Sequence, residues 1–169
     1  IGNGGIGQAL AVDSSGLYVA GSASTFFGTP QPFVGKWSLA GSPLWNRTVD
    51  TDGSLDSVAL DPAGTPLVAG TSGANVSFDG IVLPYTNAFV GRLNPSDGTW
   101  TWVLGEVYSN HFTVNEVLSC GSGVTCLVGT MSGTTNIGSL SIGSGAETDL
   151  CIATATTTWT TLSSTANAP

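Results

Sequence analysis

The densest group of side chains able to do chemistry is Asp50-Thr-Asp-Gly-Ser-Leu-Asp56. Carboxylates gathered around a glycine suit a hard cation that takes oxygen ligands from a flexible loop. Asp50, Asp52 and Asp56 are therefore candidate ligands of a calcium loop. The plainer reading of the same residues is a solvated acidic turn between two strands. The three cysteines are Cys120, Cys126 and Cys151. Cys120 and Cys126 flank Gly121-Ser-Gly-Val-Thr125, so they fall on two strands joined by a tight turn. A disulfide between them is the expected pairing. Sequence leaves Cys151 either as a small buried hydrophobe or as the true partner of one of the others. The Cys-x5-Cys pair has no nearby histidine and makes a poor zinc site.

Other constellations point to less. His111 is the single histidine, and no serine sits in a Gly-x-Ser-x-Gly elbow. Gly2-x-Gly4-x-x-Gly7 has the spacing of a dinucleotide fingerprint but precedes a strand instead of joining strand to helix. Glu106 and Glu116 are carboxylates of the type a glycosidase pairs, yet nothing in the sequence pairs them. No catalytic residue is assigned, and the chain is read as no enzyme. Asn46-Arg-Thr48 and Asn75-Val-Ser77 match the N-glycosylation acceptor pattern, which makes Asn46 and Asn75 candidate attachment sites. Asn94-Pro-Ser96 does not match, because proline follows the asparagine.

The elements that position these groups follow from composition. Of 169 residues, 8% are charged and 41% hydrophobic. Disordered chains combine low hydrophobicity with high charge, so this chain is not one of them. No apolar run reaches the roughly 18–20 residues of a spanning helix. Glycine-rich turns between short apolar runs point to a single all-β domain over residues 1–169. The net charge is −8, and Lys36, Arg47 and Arg92 are the only basic residues. That balance disfavours nucleic acid and anionic membrane surfaces, which need clustered Lys and Arg. The chain opens at Ile1 without Met, the mark of a processed or partial chain, and its Thr/Ser richness suggests export to the cell surface or the extracellular space.

A pattern repeats along the chain. The segment Ser57–Trp102 is its fullest copy: two apolar runs around Asp61-Pro-Ala-Gly64, then Phe78-Asp-Gly-Ile, then Asn87-Ala-Phe-Val-Gly-Arg-Leu, then Trp100-Thr-Trp102. Asp accepts local backbone N–H bonds, Pro presets its own dihedral and Gly takes the left-handed position, so these are turns. Three units result, at approximately 8–47, 55–104 and 114–162. Gly21, Gly70 and Gly129 end the second strand of each. Phe33, Phe89 and Cys151 share a position in the third, and Trp45, Trp102 and Trp159 sit in the fourth. The runs after the turns read as strands covered on both faces.

The unit Asp-x-x-Gly, Tyr/Leu-Val-Ala-Gly, Phe-Gly or Phe-Asp-Gly, Phe-Val-Gly-Lys/Arg, Trp resembles the bacterial β-propeller repeat of the SBBP type. The resemblance is good in the first two units and thinner in the third, where cysteines replace the Asp and the Phe. It implies four-stranded antiparallel blades on exported or cell-surface proteins, with no catalytic set to transfer. The acidic stretch at 50–56 is similar to the later half of the calcium loops of some propellers, with Thr48 where a first acid would stand.

A propeller closes with about four blades or more. Three units leave sheet surface and strand edges open. Lysine is scarce, and the C-terminal stretch Thr154–Leu162 is β-prone and uncharged, a composition suited to pairing with another chain. The expectation is a non-enzymatic structural protein whose edges are completed by neighbouring subunits: a homo-oligomer or filament subunit joined by β-strand pairing. The alternative is a lectin-like carbohydrate- or protein-binding propeller module, closed by oligomerisation or part of a longer propeller. A free-standing β-sandwich is the plainest fold.

Overall fold

Two Asx turns start the architecture. Asp13 Oδ1 accepts from the backbone N–H of Ser15 at 2.7 Å and of Gly16 at 3.1 Å. Asp61 Oδ1 accepts from Ala63 and Thr65 at 2.9 Å each. Each turn folds two strands into an antiparallel hairpin: β1 (Gly4–Asp13) on β2 (Gly16–Ser24), and β5 (Gly53–Leu60) on β6 (Pro66–Ser72). The computed structural model describes residues 4–24, 28–84, 87–107, 112–121, 123–137, 140–155 and 159–165, with backbone alone at 106–107 and from 131 onward. Among them there is no helix, and every strand pairing is antiparallel.

β3 (Gln31–Trp37) and β4 (Pro43–Thr48) complete a four-stranded sheet in the order β1-β2-β3-β4. The small hairpin β7 (Val76–Phe78) and β8 (Ile81–Leu83) turns at Asp79 and Gly80, both at positive φ (49° and 93°), as an Asp-Gly hairpin turn requires. The remaining strands are β9 (Ala88–Leu93), β10 (Trp100–Val107), β11 (Phe112–Gly121), β12 (Val124–Ile137), β13 (Leu140–Ala155) and β14 (Trp159–Thr165). They join β5 and β6 in one eight-stranded sheet, ordered β14-β13-β12-β10-β9-β6-β5, with β11 also paired to β12.

The second and third units thus do not stand as separate four-stranded sheets. β12 and β13 run to 14 and 16 residues, and β10 pairs with the extension, Glu106 opposite Ile137 and Val107 opposite Asn136. The all-β antiparallel character holds, and none of the sheets closes on itself.

One irregularity recurs. β1 bulges between Gly7 and Ala9, β5 between Leu55 and Ser57, and β11 between Val114 and Glu116. Opposite each bulge stands Gly21, Gly70 or Gly129. A Cβ on these glycines would fall on the backbone carbonyl oxygen of Ile6, Ser54 or Thr113. The bulge pushes the first strand into its neighbour, and only glycine leaves room. Phe33, Phe89 and Cys151 pair with the same three glycines in the next strand. Trp45 and Trp102 pair with Lys36 and Arg92, but Trp159 pairs with Ala155, the place Trp100 takes opposite Leu93. The fourth-strand tryptophans therefore do not align as a set of three.

The core lies between the sheets in two clusters. One packs Tyr18, Ala20 and Val34 of the first sheet against Leu55, Val58, Val68, Phe89 and Trp100. The other packs Leu67, Ala69 and Val90 against Phe112, Val114, Val117 and Leu127. β6 is buried over Pro66–Gly70, as a strand covered on both faces should be. β1 is not so covered: Leu10 and Val12 are exposed.

Candidate functional site

Asp50 and Asp52 lie in the bend before β5 and Asp56 lies within β5, and the three engage different partners. Gln31 Nε2 donates to Asp50 Oδ1 at 2.9 Å. The Thr29 hydroxyl donates to Asp52 Oδ1. The Ser54 hydroxyl donates to Asp56 Oδ1 at 2.6 Å. Among the described residues no three or more His, Cys, Asp or Glu side chains form a group that could hold a metal ion. Cys120 and Cys126 are joined in a disulfide with Cα atoms 5.7 Å apart, and Cys151 lies in β13 opposite Gly129. Asn46 is exposed on β4, and Asn75 is exposed at φ 56°. Gly4 and Gly7 lie within β1, so no strand-to-helix turn forms there. Glu116 is exposed on β11, and His111 lies outside the described residues.

Where the sheets meet, basic residues grip turns. Lys36 is buried, with Nζ 4.8 Å from the centre of the Tyr18 ring and donating to Pro95 O at 3.2 Å. Trp45 Nε1 donates to the same carbonyl at 3.1 Å, and Arg47 donates to Asp97 O at 2.9 Å. Three side chains of the first sheet thus hold the Asn94–Gly98 turn of the second unit. A Cβ on Gly98 would meet the Trp45 ring at 2.6 Å, so the turn sits flat on the indole. At the next junction, Arg92 pairs with Asp61, and the Val117 N–H donates to Ser57 Oγ at 3.0 Å. The recurring Phe-Val-Gly-Lys/Arg segment now has a physical meaning. Its cation works at the junction, and its glycine, Gly35 or Gly91, lies beneath the ring of Trp37 or Trp100.

The Asn94–Gly98 turn is tuned by charge. Asp97 accepts the Thr99 backbone N–H at 2.9 Å and the Thr99 hydroxyl at 2.7 Å, and these bonds hold its carboxyl below the ordinary range. A lowered folded-state pKa adds stability above the ordinary carboxylate range, and that stability is lost as pH falls through the lowered value. The stability gap between wild type and Asp97→Asn is therefore expected to narrow on acidification. Denaturant titrations from neutral to acid pH check this; a gap that widens contradicts it.

A large open feature among the described residues is the outer face of the first sheet. Cross-strand register puts Leu10 beside Val19 and Gly21 beside Phe33 on this face. A groove of about 570 Å³ runs there, lined by Gly4–Gly7, Val19, Phe33, Trp37, Pro43 and Asn46 among others. Around it Ile6, Leu10 and Val12 are 67%, 63% and 59% exposed. The sequence marks these residues as apolar but carries no sign that the face is left open. No described helix is long and apolar enough to cross a membrane. No protein-family model and no curated protein matches the chain, so the likeness to the SBBP-type repeat rests on the residues that carry it.

Proposed function

We propose that the protein is a non-enzymatic structural subunit that associates with copies of itself into an extracellular or cell-surface filament. The observation that carries this reading is the uncovered apolar face of the first sheet. Contiguous apolar patches on a sheet are a mark of interaction surfaces. Open strand edges add to it, because β14 ends its sheet and carries no charged residue. Strand pairing between subunits through such an edge belongs to the same reading. The disulfide and the scarcity of charge fit an exported protein.

Purified chain imaged by negative-stain electron microscopy should form fibres that lengthen with concentration, and sedimentation should show the matching loss of monomer. A single monomeric boundary up to the solubility limit overturns the reading. A second reading, a carbohydrate-binding module, draws on the same groove. Phe33 and Trp37 could stack on a sugar ring while Asn46 hydrogen-bonds its hydroxyls. Glycan-array binding that leaves the chain monomeric favours it.

A further inference from the structure

We infer that the partner seated on the outer face of the first sheet is the far face of the third unit of a second copy, packed sheet on sheet, head to tail. This rests on the proposed self-association and names its two surfaces. Three observations carry it.

The first is the repetition of one face-to-face contact. At the first junction Tyr18, Ala20 and Val34 cover the face of the second unit that holds Leu55, Val58 and Val68. At the second, Leu67, Ala69 and Val90 cover the face that holds Val114, Val117 and Leu127. Register makes the two contacts equivalent, because Leu10, Val58 and Val117 occupy the same place after the bulge. One surface of each kind remains. The receiving face is the one with Leu10 and Val19. The covering face is the one where Leu118 pairs with Cys126 and Glu116 with Val128, as Ala11 pairs with Tyr18 and Ala9 with Ala20. Leu118 is 42% exposed there.

The second observation is the match of charge. The internal junctions bring a cation of one unit to the next unit's turn or to its own acidic turn, as Lys36, Arg47 and Arg92 do. The third unit contains no lysine or arginine, and the first unit's corresponding turn, Ser38–Ser42, contains no acid. That turn instead exposes Leu39 at 61%. An apolar turn and a cation-free face suit each other. A charged partner leaves both without use.

The third is Glu116. It occupies the place of Ser57, whose hydroxyl accepts the Val117 N–H of the next unit. A carboxylate accepts that bond as well, so Glu116 has a function at the contact.

The test uses two surface substitutions in the full chain, Leu10→Asp on the receiving face and Leu118→Asp on the covering face. Circular dichroism and thermal melting establish that each variant is folded. Should either fail to fold, Leu10→Ser and Leu118→Ser take their place. Wild type is expected to form polymers in sedimentation velocity, and each variant alone to stay monomeric. The two variants mixed should form one-to-one dimers that grow no further, because each supplies the surface the other lacks. Assembly of Leu118→Asp with loss only in Leu10→Asp means that the outer face of the first sheet meets a surface other than the Leu118 face, itself if the product is a closed dimer, and overturns the inference. Polymers from both variants place the contact elsewhere, at strand edges such as β14, and overturn it while leaving self-association intact. A monomeric wild type removes both readings.

Discussion

Replacing Trp100 with alanine is expected to cost about 3–5 kcal/mol of folding free energy, the range for truncating a buried aromatic in a core. The indole is 7% exposed and makes edge contacts with Phe78 and Phe89, at centroid distances of 4.9 Å and 6.1 Å. It also lies over Gly91, where any side chain would collide with its ring. Removing it leaves a void between the β7–β8 hairpin and β9, and two phenylalanines lose an aromatic partner. Urea unfolding followed by far-ultraviolet circular dichroism measures the loss. A cost below about 1 kcal/mol would mean that the neighbours collapse into the space. Trp37 supplies the internal comparison. It lies over Gly35 in the same manner, but on the uncovered face and only partly buried. Trp37→Ala should therefore cost the isolated chain much less.

Gly70→Ala should destabilise at the upper end of the ~1–3 kcal/mol typical of overpacked sites. The added Cβ would fall on Ser54 O and stand 2.8 Å from Leu55 Cα, both of them backbone atoms in the β5 bulge. No side-chain rotation relieves such a contact. β5 would have to retreat, and it packs against the first sheet on one side and β11 on the other. Gly41→Ala is the control: its φ is 84°, but a Cβ there meets nothing within 4 Å. Only backbone strain of about 1 kcal/mol is expected at that position. Equal losses at the two glycines, measured by the same denaturant titration, would remove the close-approach explanation.

These two sites show what the sequence discloses and what it withholds. The turns were legible because Asp13 and Asp61 act on residues two to four positions away, within the reach of local chemistry. The anchor glycines were legible as a recurrence, but their reason was not. Gly70 is small because Ser54 pushes against it, and the bulge that causes this is marked only by Gln8, Asp56 and Asn115, which share little beyond polarity. The merging of the second and third units went unread because nothing local breaks β12 before it reaches β10. Trp159 does stand in the fourth strand of its unit, but matching residue types along the chain does not fix its register across it. The acidic residues at 50–56 are neighbours in sequence, and sequence does not show which donors each one meets. In the fold each finds its own hydroxyl or amide donor. The outer face of the first sheet could be read as apolar strands, but whether a strand face meets protein or solvent is decided by what stacks on it.

The pairing of β10 with β12 has a mechanical meaning. It ties the latter two units by ladder hydrogen bonds, whereas no described strand pairing links β1–β4 to the rest. Side chains, a gripped turn and a backbone bond from Gly53 N–H to Pro30 O at 2.9 Å hold that first seam, with no strand ladder across it. Cooperative opening follows the weaker seam. Heat or tension would then peel β1–β4 away as one piece while the eight-stranded sheet stayed whole, so the molecule comes apart in a fixed order, N-terminal sheet first.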